Sequence, residues 1–155
     1  MIFKRVPYLK AMYLRSIIFI LGSAFSTSAN AQEKLANYSF GAPGTDKYEH
    51  FSFWADHGKH TRIEYRYGKN QTSMYLKFAG KTMINGRQAF KVLFPNKLVL
   101  TVIPSGKNLT VTGSNYRKIF VWEYEGPRNG VGTFCAPCTE DEHEAMNLLK
   151  AFYLQ

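Results

Sequence analysis

The sequence predicts a mainly β fold, an antiparallel meander that forms a small barrel or sandwich with one C-terminal α-helix packed on it. From Tyr48 to about Phe134, short segments alternate apolar and polar residues and are separated by Gly, Asn and Pro. Aromatic residues make up 15% of the chain, which is typical of a packed β protein. After Cys138 the apolar residues recur every three or four positions, which indicates a helix.

The first segment, residues 1–31, is typical of a cleaved secretory signal. It has basic residues, no acidic residue, an apolar stretch over 17–25 and an A-x-A site at 29–31. The apolar stretch is shorter than the roughly 20 residues that a membrane-spanning helix needs. We therefore expect export to the periplasm or the medium, no membrane span after cleavage, and Gln32 as the mature N-terminus. Met12 is an alternative start.

The mature chain suits one domain. We predict an N-terminal extension, residues 32–47, and a single β domain, residues 48–155, that includes a helix over 139–154. Loss of the signal lowers the formal net charge from +9 to +5, since four basic residues leave with it. The remaining basic residues occur singly along the strand segments, which disfavours nucleic acid as a partner.

The strand segments are joined by recognisable turns. Residues 61–67 and 73–79 alternate around a Gly-Lys-Asn turn and are predicted to form a hairpin. Asn85-Gly86 is a two-residue turn signal that leads into residues 88–94. The apolar run 98–103 has no polar side chain except Thr101, so we predict a strand buried on both faces.

The last strands precede the helix directly. Residues 109–112 form a short segment and 116–125 a long one, with aromatic residues on one face. Thr139 and Glu142 have capping-box spacing, which predicts the helix N-cap at Thr139. The predicted helix carries one apolar stripe that we expect to pack on the sheet or to plug one end of a barrel, formed by Ala145, Met146, Leu149, Phe152 and Tyr153.

The most specific local feature is Cys135-Ala136-Pro137-Cys138, which holds both cysteines of the chain. In an oxidising compartment this pair forms a short disulfide that fixes the passage from the last strand to the helix. Two alternatives remain open: a redox-active pair beside a helix N-terminus, and a metal site in which His143 adds to Cys135 and Cys138. No cofactor motif occurs, so we expect no cofactor and, by preference, no resident metal.

A second cluster combines carboxylates and imidazoles, with Glu49, His50, His57 and His60 close together in sequence. Such groups perform general acid–base chemistry when they converge in a pocket. Sequence proximity does not show convergence, and histidines on a strand face are more common. A hydrolase that uses this region is therefore an alternative hypothesis only.

The sequence favours a binding protein over an enzyme. We predict a small exported β domain that binds another envelope or secreted protein, as an inhibitor or immunity-type protein does. Tyr and Trp anchor interfaces disproportionately, although each is also a candidate core residue. The alternatives are a thiol-disulfide or metal-dependent enzyme using the cysteine pair and a barrel that binds a small ligand. The candidate contact residues are Tyr65, Tyr67, Tyr116, Trp122 and Tyr124.

Overall fold

The computed structural model describes residues 33–56, 59–124, 135 and 137–155, with the backbone alone at residues 59–61. The predicted secretory segment, residues 1–31, and the predicted mature N-terminus lie outside the described residues. Among the described residues, no helix is long and apolar enough to cross a membrane.

Eight antiparallel strands form a closed barrel in which each strand pairs with the next and the last pairs with the first. The mainly β prediction is confirmed, and the architecture is a barrel rather than a sandwich. Closure leaves no free sheet edge. The strands are β1 (Lys34–Phe40), β2 (Glu49–Asp56), β3 (Lys59–Tyr67), β4 (Thr72–Ile84), β5 (Arg87–Leu93), β6 (Val99–Ser105), β7 (Asn108–Thr112) and β8 (Arg117–Trp122).

The predicted hairpins are present. Strands β3 and β4 pair from Ile63 opposite Leu76 to the turn. Asn85 and Gly86 both have positive φ, 49° and 76°, which is the conformation that the two-residue turn between β4 and β5 requires. Turn chemistry therefore fixes the register of these strands locally.

Strand β1 lies within residues 32–47, which were predicted to be an extension. It pairs with β2 from Lys34 opposite Ala55 to Phe40 opposite Glu49. The barrel therefore begins well before Tyr48, and without β1 it would not close.

The predicted two-sided burial holds for only part of residues 98–103. Leu100 and Val102 are buried in the core, and Ile103 on the outer face of β6 is also buried, whereas Leu98 and Val99 are 41% and 44% exposed. In an up-and-down barrel one face of each strand meets the interior, so Val99 is an apolar residue of the outer face that packing does not require.

Aromatic rings fill much of the barrel interior. Phe51, Phe53, Phe90 and Phe120 are fully buried. The rings of Phe51 and Phe120 lie 5.0 Å apart and those of Phe53 and Phe90 5.6 Å apart, both edge to face. This geometry is favourable for aromatic pairs. An eight-stranded barrel is just wide enough for side chains to fill it.

The C-terminal helix closes one end of the barrel. Helix α1 (Glu142–Leu149) continues into a π-helical turn, Lys150–Leu154. Tyr153 is fully buried, its ring centroid is 5.5 Å from that of Phe53, and its hydroxyl donates to the Trp54 carbonyl at 2.6 Å. The predicted helix is confirmed, and it plugs the end where β1 begins and β2 ends.

The N-cap of the helix lies two residues later than predicted. Its N-cap is Asp141, which accepts a hydrogen bond from the Glu144 amide at 2.8 Å, while the Glu144 carboxylate accepts from the Glu140 amide at 2.7 Å. Thr139 instead accepts a hydrogen bond from Trp122 Nε1 at 3.1 Å. The prediction of Thr139 as the cap was wrong because a long-range contact uses that hydroxyl.

Candidate functional site

A carboxylate and an ammonium group meet at the end of the barrel opposite the helix. Glu49 lies on the face of β2 that also carries Phe51, and Lys118 lies on the face of β8 that carries Phe120, so both point inward. Lys118 Nζ and the Tyr116 hydroxyl both donate to the Glu49 carboxylate. We call this end the mouth, formed by Phe40, Glu49, Tyr65, Tyr67, Tyr116 and Lys118.

The Lys118 ammonium is also held by aromatic rings. Its Nζ lies 4.8 Å from the ring centroid of Phe40 and 5.2 Å from that of Tyr116. Both distances are in the range of cation–π attraction. A carboxylate and two rings together make a site that suits a cation.

Two further tyrosines, Tyr65 and Tyr67, lie between this carboxylate and solvent. Tyr65 is half-buried and lies beside Glu49, whose carboxylate raises the pKa of the Tyr65 phenol. Its ring stacks on that of Tyr67, with the centroids 5.8 Å apart, and Tyr67 is 41% exposed. The mouth therefore has a buried carboxylate, that of Glu49, at its base and an exposed aromatic ring, that of Tyr67, at its rim.

The phenols of Tyr65 and Tyr116 remain protonated at neutral pH. Burial raises the pKa of Tyr65 and of Tyr116 above the ordinary value for tyrosine, and the adjacent Glu49 carboxylate raises both further. The Tyr116 phenol therefore donates its hydrogen bond to the Glu49 carboxylate.

We expect the protein to lose stability as the pH rises above about 10. Burial raises the pKa of Tyr38, Tyr65, Tyr116 and Tyr153 above the unfolded value of 10.0. A group whose pKa is raised by folding stabilises the native state fully below its unfolded pKa, and this contribution decreases above it. A pH titration should show part of the phenolate absorbance rising only together with loss of the far-ultraviolet circular dichroism signal. Complete ionisation of the tyrosines with an unchanged signal would contradict this expectation.

The structure separates the five predicted contact residues into two groups. Tyr65, Tyr67 and Tyr116 meet at the mouth. Trp122 and Tyr124 lie toward the helix end, where Trp122 bonds to Thr139 and the Tyr124 hydroxyl accepts from the Cys135 amide at 3.2 Å. These two support the cysteine segment, so we no longer group them with the mouth.

Cys135 and Cys138 are joined by a disulfide with a Cα–Cα distance of 5.3 Å. The segment around it pairs with β1: the Leu35 amide donates to the Pro137 carbonyl at 2.7 Å, and the Thr139 amide donates to the Leu35 carbonyl at 2.8 Å. Among the described residues, strands β1 and β8 pair directly at two positions. The disulfide segment therefore helps to close the seam of the barrel between β1 and β8.

Neither sulfur is a thiolate in the disulfide state, so the alternative metal site of Cys135, Cys138 and His143 has no sulfur ligand in this structure. Within the described parts of the chain, no group of three or more His, Cys, Asp or Glu side chains is placed to hold a metal ion. The helix N-cap is Asp141 rather than a residue next to Cys138, so the dipole of α1 does not start at the cysteine pair.

His50 belongs to a polar network on the outer side of β2. Arg66 Nη2 lies 3.1 Å from His50 Nδ1, and because a guanidinium only donates, Nδ1 accepts and the ring proton is assigned to Nε2, 3.6 Å from Glu123 Oε1. Ser52 Oγ donates to Asn37 Oδ1 at 2.8 Å and lies 3.3 Å from His50 Nδ1. Because the hydroxyl proton is engaged by Asn37 and Nδ1 accepts from Arg66, the imidazole is not arranged to take the serine proton, and this is not the arrangement of an activated nucleophile.

The rest of the predicted histidine cluster is not described at the side-chain level. His57 lies outside the described residues, and for His60 only the backbone is described. Glu49, the carboxylate of that cluster, faces the interior, whereas His50 faces outward, so the structure does not bring these two together at one site.

Fold and site together define an eight-stranded up-and-down barrel with a helical plug at one end and an acidic, tyrosine-lined mouth at the other. Comparisons of the chain with protein-family models, with curated proteins and with solved structures find no significant match. A barrel of this kind does not by itself imply a function, so the function is argued from the site.

Proposed function

We propose that this chain is an exported binding protein, of the inhibitor or immunity type, that acts on another protein of the cell envelope through the mouth of the barrel. The observation that carries the proposal is the inward-facing carboxylate of Glu49, surrounded by tyrosines and reached past the exposed ring of Tyr67. Tyrosine-rich, partly desolvated sites are typical of interface hot spots.

The chemistry of the mouth suits a basic side chain of the partner. The site already accommodates an ammonium group from within the chain, and the Lys118 side chain is 29% exposed. A lysine stem is flexible, so the Lys118 ammonium can move out to solvent while a partner's lysine or arginine takes its place on Glu49. The filled interior behind the mouth favours a single inserted side chain over a small ligand enclosed in the barrel.

Photocrosslinking tests this proposal. Tyr67 is replaced by the photoreactive p-benzoylphenylalanine, which keeps an aromatic ring at the rim, and the protein is irradiated in the cell envelope of its host. We expect one discrete protein adduct. Ile119 provides the matched control, because it is 53% exposed on the outer face of β8, beside Lys118 in sequence but on the opposite side of the strand.

Glu49→Gln in the Tyr67-labelled protein should lower the adduct yield about tenfold, because a hydrogen bond to a charged group contributes about 1.5–3 kcal/mol. Glutamine keeps the shape and can still accept from the Tyr116 hydroxyl, so the barrel should remain folded by circular dichroism. Equal adducts from positions 67 and 119, or an adduct that is insensitive to Glu49→Gln, would refute the mouth as the binding site.

A further inference from the structure

Charge is divided unevenly along this chain. The region from Tyr65 to Trp122 contains no aspartate or glutamate, so all eleven acidic residues lie outside it. It comprises the end of β3 and all of β4 to β8. Its basic residues number ten, namely Arg66, Lys69, Lys77, Lys81, Arg87, Lys91, Lys97, Lys107, Arg117 and Lys118.

The same region carries most of the exposed apolar surface. Seven of the eight large apolar side chains that are exposed in the described structure belong to it. Single exposed apolar residues are ordinary, but their concentration in the part of the barrel that lacks acidic residues is not expected from packing. They are Tyr67, Tyr75, Met83, Leu98, Val99, Ile119 and Val121.

These two properties coincide on β4 and β5. Lys77 and Lys91 point outward, because the residues beside them, Leu76 and Val92, are buried in the core. Tyr75 precedes Lys77 by two positions on the same face and is 64% exposed. We call this surface the cationic face, and its exposed residues are Tyr75, Lys77, Arg87 and Lys91, bordered by Val99 on the adjoining outer face of β6. Lys81 and Met83 do not belong to it, because a shift of register between Phe78 and Lys81 places them in phase with the inward-facing Phe90.

We infer that the cationic face binds the surface of a membrane that carries anionic lipid headgroups. Lysine and arginine are attracted to such a surface at roughly 1 kcal/mol each, which corresponds to about a fivefold change in partition. The amphipathic Tyr75 ring and the apolar Val99 side chain fit the boundary between headgroups and acyl chains. One carboxylate, the half-buried Glu64, lies opposite Tyr75 on β3, and the three cations of the face, Lys77, Arg87 and Lys91, outnumber it.

A lipid surface fits these observations better than a nucleic acid or an acidic protein does. A polyanion would engage the cations alone and place Tyr75 and Val99 against phosphates or water. The inference is independent of the proposed function, because the cationic face lies outside the barrel on β4 and β5, whereas the mouth lies within its end. Binding at one of these surfaces leaves the other accessible.

Vesicle co-sedimentation tests the inference. The purified protein is mixed with vesicles of phosphatidylcholine alone and with vesicles in which a third of the lipid is phosphatidylglycerol. We expect binding to the second kind only, with affinity falling as sodium chloride is added, because salt screens charges beyond a Debye length of about 10 Å at 0.1 M. Equal binding to both kinds of vesicle would overturn the inference.

Charge reversal locates the surface. Lys77→Glu with Lys91→Glu should weaken binding at least about 25-fold, from two contributions of about fivefold each. The matched control is Lys47→Glu with Lys150→Glu, which changes the net charge equally at exposed positions outside the region from Tyr65 to Trp122. It should bind nearly as the parent protein does, and equal losses in both pairs would show that net charge alone is responsible.

Two further measurements complete the test: substitution of the exposed apolar side chains, and comparison with other polyanions as binding partners. Tyr75→Ala with Val99→Ser should lower the binding that persists at high salt, while leaving the salt-dependent part intact. Tighter binding of a duplex oligonucleotide, or of an acidic polypeptide such as polyglutamate, than of phosphatidylglycerol vesicles at equal salt would overturn the assignment to lipid.

Discussion

Replacement of Tyr153 by alanine is expected to lower the free energy of unfolding by about 3–5 kcal/mol, as truncation of large buried aromatic residues does. The Tyr153 ring is fully buried at the helix end of the barrel. Its centroid lies 5.2 Å from that of Phe90, 5.5 Å from that of Phe53 and 6.0 Å from that of Phe78. The substitution removes these contacts and leaves a cavity between the helix and the strands.

Tyr153→Phe separates packing from hydrogen bonding. It keeps the ring and removes the hydroxyl that donates to the Trp54 carbonyl, so we expect a loss of about 0.5–1.5 kcal/mol. Urea unfolding followed by circular dichroism measures both variants. If the alanine variant lost no more stability than the phenylalanine variant, the helix would not be the plug that the structure indicates.

The β architecture was predictable because the barrel imposes one rule on most strands. Inward residues such as Ile63 and Leu109 are apolar, their neighbours are polar, and Gly or Asn supplies the tight turns. The choice between barrel and sandwich depends on whether the first and last strands meet. That contact joins residues far apart in sequence, Tyr38 and Trp122, and leaves no periodic signal.

Strand β1 was missed for a different physical reason. Tyr38 and Ala36 face the core, but Leu35 and Asn37 on the other face are buried as well. The disulfide segment covers that outer face through the hydrogen bonds of Leu35 and the contact of Asn37 Nδ2 with Cys138 Sγ at 3.4 Å. A strand that is covered on both sides and carries a buried asparagine shows no alternation, so periodicity cannot find it.

The mouth could have been found from the sequence in part. Alternation places Glu49 in phase with Phe51 and Phe53, and Lys118 in phase with Phe120 and Trp122. A charge in phase with core residues on a strand is unusual, and two opposite charges of this kind indicate an inward ion pair. Their meeting depends on barrel closure, which brings β2 and β8 to the two sides of β1. Sequence alone does not provide that step.

The prediction that basic residues are merely dispersed also needs refinement. Within strands they do occur singly, and local clustering is weak. The relevant pattern is longer than any single strand, because acidic residues are missing from five consecutive strands. A meander turns a long segment of sequence into one continuous part of the barrel wall, and this is how Lys77, Arg87 and Lys91, which are dispersed in sequence, come to share the outer surface of β4 and β5.

Replacement of both Cys135 and Cys138 by serine is expected to lower the free energy of unfolding by about 2 kcal/mol, which is the chain-entropy contribution of so short a loop. Local opening should accompany this loss. In the part of the chain that the structure describes, strands β1 and β8 pair directly at two positions, and the segment on the C-terminal side of the disulfide supplies further hydrogen bonds to Leu35. Hydrogen exchange should therefore accelerate at the amides of Leu35 and Thr139, while the β4–β5 hairpin keeps its protection.

Reduction of the parent protein without substitution provides the control, and it should reproduce both the loss of stability and the local exchange. The crosslink at Tyr67 should persist, because the mouth lies at the opposite end of the barrel from the seam. A structural bridge is expected to have a reduction potential below about −300 mV. If the reduced protein were as stable as the oxidised one and its potential lay well above that value, the pair would fit a thiol-disulfide enzyme, since catalytic disulfides are the labile ones.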